Sequence, residues 1–217
     1  MTERLLAPPL SQPTELRYLA LGDSYTIGEG VSESGRWPLQ LAYALRADGL
    51  PMANPRIIAQ TGWTTDELDA AIDAVHPLAE YDLVSLQIGV NNQYRGRGVD
   101  EYRAQFSGLL ERAIGFAQWR REHVLVLSIP DWGVTPFAKR ESRNATRIGD
   151  EIDAYNHAAH EVCVKRGIVF IDITAISRAR GTEPRMMVED GLHPSAAMYQ
   201  EWTRLALPAA LGMLAPQ

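Results

Sequence analysis

The chain of 217 residues has one cysteine, Cys163, so no disulfide can form within it. That thiol falls in an apolar helical stretch, where a packed side chain is expected rather than a reactive one. Cations are also scarce: 21 lysines and arginines against 27 aspartates and glutamates leave a formal charge of -6. Without a basic field to neutralise phosphates, nucleic acid is not an expected partner. No apolar run reaches the roughly 18 residues needed to cross a bilayer, which excludes an evident membrane helix. The first residues carry neither an apolar core of signal-peptide length nor a small-residue cleavage site, so a cytoplasmic location is expected. Repeats, low-complexity tracts and interior linkers are missing as well.

What remains is an ordinary globular composition, 46% hydrophobic and 22% charged, long enough to bury a core without staples. Residues 1–15, with Pro8, Pro9 and Pro13, read as a loose lead-in, and residues 16–217 as one domain. Short apolar runs alternate with amphipathic stretches. Strands are predicted at 16–21, 56–59, 83–88, 123–129 and 168–173. Helices are predicted at 38–50, from a Thr64 or Thr65 cap to 75, at 99–121, at 144–166 and at 195–214. Ser195 caps the last of these, and Pro208 is expected to bend it or end it early. The run His-Val-Leu-Val-Leu-Ser-Ile at 123–129 suits a strand buried on both faces. Five strands alternating with helices predict a parallel sheet covered on both sides by right-handed crossovers. In such sheets ligands bind beyond the carboxyl ends of the strands.

Polar blocks follow three of those strand ends, and a fourth lies near the C-terminus. Gly22-Asp23-Ser24-Tyr25-Thr26 turns a serine clear of strand one, as a nucleophile requires, although glycine, aspartate and serine also make ordinary turns. Asp190-Gly191-Leu192-His193-Pro194-Ser195 sets a carboxylate three residues before an imidazole. That spacing lets Asp190 orient His193 while the second ring nitrogen stays free as a base. Gly89-Val90-Asn91-Asn92 offers a side-chain amide to a developing oxyanion, and Gly62, in Thr61-Gly62-Trp63-Thr64-Thr65, offers a backbone N–H. Each block has a bland reading as a turn. Those readings do not require nucleophile, base and donors to meet at one sheet edge.

With these four blocks in this order, the chain resembles the SGNH hydrolases, the GDSL esterase/lipase family, over nearly its whole length. The resemblance implies a flavodoxin-like α/β/α sandwich with five parallel strands. It implies a catalytic triad of Ser24, His193 and Asp190, and an oxyanion hole from the Ser24 N–H, the Gly62 N–H and the Asn91 side chain. Two positions depart from the family pattern: Tyr25 stands for the usual leucine, and Asn92 for the usual aspartate. Neither removes a catalytic group, and a supporting role is expected for Asn92. The G-x-S-x-G elbow of α/β-hydrolases does not fit, because position 26 is Thr.

The expected reaction is cleavage of a small acyl ester through an acyl-enzyme, with no metal or organic cofactor. Short-chain esters, O-acetylated sugars, thioesters and lysophospholipids all fit this pattern. Trp132 and Phe137, in the loop after strand four, are candidate walls of a substrate pocket, and Arg95 a candidate contact for an anionic substrate group. Two rival readings fit parts of the pattern. His157 and His160, three apart with Glu161 and Asp153 near, suggest a metal hydrolase but lack a third ligand at a recognisable spacing. A non-catalytic binding module on the same scaffold is the other. Nothing in the pattern sets an oligomeric state.

Overall fold

The computed structural model describes residues 15–75 and 80–215. The predicted lead-in therefore lies outside the described residues but for Glu15. Five strands, β1 (Tyr18–Gly22), β2 (Arg56–Ala59), β3 (Leu83–Gln87), β4 (Val124–Leu127) and β5 (Val169–Ile171), form one sheet in the order β2-β1-β3-β4-β5. Every pairing is parallel, with Leu19 opposite Arg56 on one side of β1 and Val84 on the other. This is the flavodoxin-like order.

The helices are α1 (Ser24–Ile27), α2 (Trp37–Ala47), α3 (Thr65–Ala74), α4 (Val90–Tyr94), α5 (Val99–Phe116), α6 (Pro136–Arg140), α7 (Ala145–Arg166), α8 (Thr174–Arg180) and α9 (Ala196–Leu214). Helix α2 packs with α9, while α3 and α7 both pack with α5, giving a three-layer sandwich. The apolar stripes account for this. Tyr102, Phe106, Leu109, Leu110 and Ala113 form the buried face of α5, and Trp202, Ala206 and Ala210 that of α9.

The central strands β1, β3 and β4 are buried along their whole length, as their continuous apolar runs demand. The polar residues among them are paired. The Tyr18 and Ser85 hydroxyls lie 2.9 Å apart, and Gln87 accepts from Trp37 Nε1 and donates to the Ser128 carbonyl. Cys163 is buried, and burial pushes its thiol up to about 12, so it behaves as a packing group.

Two expectations about helix ends are revised. Helix α5 stops at Phe116 rather than 121, because Gln118 and Trp119 adopt positive φ angles of 60° and 61°. The reversal returns the chain to the sheet at Val124. Pro208 does not end α9, which continues to Leu214. Proline removes the N–H that Arg204 O would accept, but both residues are exposed, so water can take the freed carbonyl.

Strand order reverses around β1, whose neighbours β2 and β3 come from connections running in opposite directions. The chain leaving β1 enters α1 and the chain leaving β3 enters α4, so both open beside that crevice.

Candidate active site

The last residue of β1, Gly22, is glycine for a steric reason. A Cβ there would fall against the Thr26 side chain and within 2.5 Å of the Gln87 carbonyl. Asp23 then caps α1, its Oδ1 accepting the Tyr25 N–H at 3.0 Å, and Ser24 is the first helical residue. Asp23 is fully buried and its Oδ2 has no partner. Burial pushes its carboxyl up to about 7, against the opposing pull of backbone N–H groups.

The Asp190–His193 turn is closed by its own acid. Asp190 Oδ1 accepts the N–H groups of Leu192 at 2.7 Å and His193 at 2.9 Å, and Oδ2 lies 2.6 Å from His193 Nδ1. Burial raises the Asp190 carboxyl, but the hydrogen bonds from His193 and Leu192 outweigh it and hold the group below the ordinary aspartate range. With Nδ1 bound to the acid, Nε2 is the nitrogen left to exchange protons. Helix α6 braces the turn from outside: Phe137 N–H donates to Gly191 O at 2.9 Å, and the Arg140 guanidinium donates to Asp190 O. The Tyr25 ring packs 5.7 Å from that of His193.

Across from these groups, Gly62 takes φ +88°, a conformation that favours glycine. The loop after it is held at two carbonyls. Arg95 Nη2 donates to Gly62 O at 2.7 Å, and Asn91 Nδ2 donates to Trp63 O at 2.9 Å. An amide nitrogen carries two hydrogens, so this bond leaves Asn91 one to offer elsewhere. Asn92 is fully buried and ties α4 to α3, with Oδ1 accepting from Thr65 N–H at 3.1 Å and Nδ2 donating to Thr65 Oγ1 at 2.7 Å. These two bonds fix the start of α3 against α4.

Ser24, His193, Gly62 and Asn91 line one cavity of about 220 Å³. A profile of the GDSL-like Lipase/Acylhydrolase family matches residues 20–201. The chain belongs to that family. It is a carboxylic ester hydrolase. Solved structures of the same fold include a lipase/acylhydrolase from Enterococcus faecalis, 23% identical, with 93% of this chain and 99% of that one covered and a TM-score of 0.69. They also include TesA, at 20% identity, 91% and 99% coverage and a TM-score of 0.70. A variant of the acetyl xylan esterase Axe2 from Geobacillus stearothermophilus matches at 18% identity, 93% and 97% coverage and a TM-score of 0.68. At these identities the likeness is one of fold. A comparison with curated proteins finds no match.

Of the family-like residues read from sequence, Trp132 and Phe137 also line the cavity, Trp132 fixed by its Nε1 donating to Gln93 Oε1 at 2.7 Å. Arg95 does not line it, because its guanidinium is engaged by Gly62 O and, at 3.1 Å, by Glu67. Tyr25, Val90, Tyr94 and Leu192 complete much of the wall, and the sequence pattern alone does not mark them as pocket residues. Tyr94 follows Asn91 by one helical turn, a spacing that could have pointed to it. His157 and His160 do not converge: one lies 3.6 Å from Glu161, and the other packs against Phe170. Among the described residues no three His, Cys, Asp or Glu side chains gather as metal ligands. No helix among them is long and apolar enough to cross a membrane.

Proposed function

We propose that this ester hydrolase works through Ser24 as nucleophile, His193 as general base and acid, and Asp190 as the group that orients the imidazole. One observation carries the reading: His193 is bonded through Nδ1 to Asp190 at 2.6 Å while sharing a cavity with Ser24. Ser24 Oγ attacks the ester carbonyl carbon and its proton passes to His193 Nε2. The carbonyl oxygen becomes an oxyanion, met by the N–H groups of Ser24 and Gly62 and by Asn91 Nδ2. As the tetrahedral species collapses, His193 protonates the departing alkoxide. Water then repeats the sequence on the acyl-enzyme and restores Ser24.

The substrate reading is a small or short-chain acyl ester. A cavity of about 220 Å³, which must also admit part of the alcohol beside His193, leaves room for an acyl group of only a few carbons. It lies below the roughly 300–1,000 Å³ typical of larger ligands. One fold neighbour is named an acetyl xylan esterase, which keeps O-acetyl esters among the substrates to try.

The test is turnover of p-nitrophenyl acetate by purified variants. Ser24→Ala and His193→Ala are each expected to lower kcat by up to about a million-fold, with the double variant no worse than either alone. Undiminished turnover by Ser24→Ala overturns the assignment.

A further inference from the structure

Two arginines at the cavity rim have no carboxylate within ion-pair distance among the described residues, although the protein as a whole is acidic. The Arg143 guanidinium lies over two rings that wall the cavity, 5.1 Å from the Tyr94 centroid and 5.6 Å from that of Trp132. Arg140 lies 5.9 Å from the centroid of a third, Phe137. Arg95 and Arg97 are different, being held by Glu67 and Asp66. Glu151, whose charge feels Arg143, is already bonded to Arg147 at 2.8 Å and to Gln93 at 2.7 Å. The rim therefore combines an aromatic shelf with two exposed cations that form no ion pair among the described residues.

The side of the ester that meets this rim follows from the chemistry. The base that protonates a leaving alkoxide must stand beside it, so groups built around the Asp190–His193 turn flank the alcohol rather than the acyl chain. Arg140 belongs to that flank. It donates to Asp190 O, and a Cβ on Gly191 would meet its Nη1 at 2.9 Å. Arg143 continues the positive edge outward over Trp132. We propose that the Arg140–Arg143 rim selects esters whose alcohol portion carries a carboxylate or phosphate. Guanidinium groups bind both anions through paired N–H donors, and the aromatic shelf supplies apolar contact for the carbon skeleton between anion and ester. This rests on the Ser24–His193 reading of the reaction.

The experiment compares kcat/KM for 4-acetoxybenzoate and 4-acetoxyphenyl phosphate with that for the neutral methyl 4-acetoxybenzoate. The anionic-to-neutral ratio is measured in wild type, Arg143→Gln, Arg143→Glu and Arg140→Gln. Taking each ratio relative to wild type cancels leaving-group differences and any general loss of catalytic power. The ratio is expected to fall about three- to tenfold in Arg143→Gln, for one charge several ångströms away in partly screened surroundings, and further in Arg143→Glu. In wild type, raising NaCl from about 0.05 to about 1 M should lower it similarly. Arg143 is exposed, so its variants keep the fold. A fall with either anion supports the rim. Ratios unchanged for both anions in every variant overturn it. Ser24→Ala assayed alongside separates the two ideas: if it is inactive while the ratios stay flat, the rim alone fails, and if it is active, the nucleophile assignment fails.

Discussion

Replacing Asp23 by asparagine removes a titration that the fold makes costly. The Asp23 side chain is completely buried, its Oδ1 accepts one backbone N–H at 3.0 Å, and its Oδ2 meets no donor. Burial lifts its carboxyl from 3.8 to about 7, so between those values the folded protein keeps a proton that the unfolded chain releases. The contribution of this group to stability is therefore fully present below about pH 4 and is lost as pH rises toward about 7. The displacement amounts to about 4 kcal/mol at 1.36 kcal/mol per pH unit. Asparagine keeps the acceptor for Tyr25 N–H, and the unpaired amide it leaves costs about 1–3 kcal/mol at every pH. Urea unfolding of both proteins from about pH 4 to about pH 8 should therefore show Asp23→Asn gaining on wild type by up to about 4 kcal/mol. A stability difference that does not change with pH would refute the reasoning.

Asn92→Ala strips Thr65 of two buried hydrogen bonds and is expected to cost about 2–4 kcal/mol in urea unfolding. A loss under 0.5 kcal/mol, within the range of ordinary surface substitutions, would count against its anchoring role. Gly89→Ala would drive a Cβ within 2.5 Å of the Tyr102 ring at a φ of +131°. A thermal melt should register at least about 3 kcal/mol of destabilisation, or failure to fold. Arg95→Met releases the Gly62 carbonyl and should lower kcat by about tenfold on neutral esters with KM little changed, because a loosened donor loop weakens transition-state binding. An altered KM with intact kcat would point to substrate contact instead.

Much of the fold is legible because buried parallel strands have to be continuous apolar runs. Tyr18–Gly22, Leu83–Gln87 and Val124–Leu127 each stand within two residues of the predicted spans, and the only partly buried edge strand Arg56–Ala59 coincides with its own. The Asp190–His193 turn was also readable, since an acid three residues before a histidine can reach both the ring and the backbone of its own turn. Tertiary settings were less accessible. That Pro208 would not end α9 depends on its facing solvent, and that α5 would stop at Phe116 depends on where β4 must begin. The arginines show the same limit more sharply. Arg95 looked available for an anion because it follows Asn92 in a polar loop, yet Glu67 and the Gly62 carbonyl occupy it. Arg143 is some fifty residues along the chain and meets the cavity only through Tyr94 and Trp132, contacts that no local pattern encodes. The same holds for Tyr25, whose ring reaches both His193 and Trp202.

The central claim, that Ser24 is activated by His193, is tested most directly by mapping a covalent adduct. The intact protein is treated with a fluorophosphonate, digested, and the modified peptide sequenced by mass spectrometry. Modification at Ser24 alone, abolished in Ser24→Ala and slowed at least a hundredfold in His193→Ala, is the predicted result. Labelling at any other side chain, or undiminished labelling of Ser24 without His193, would contradict it.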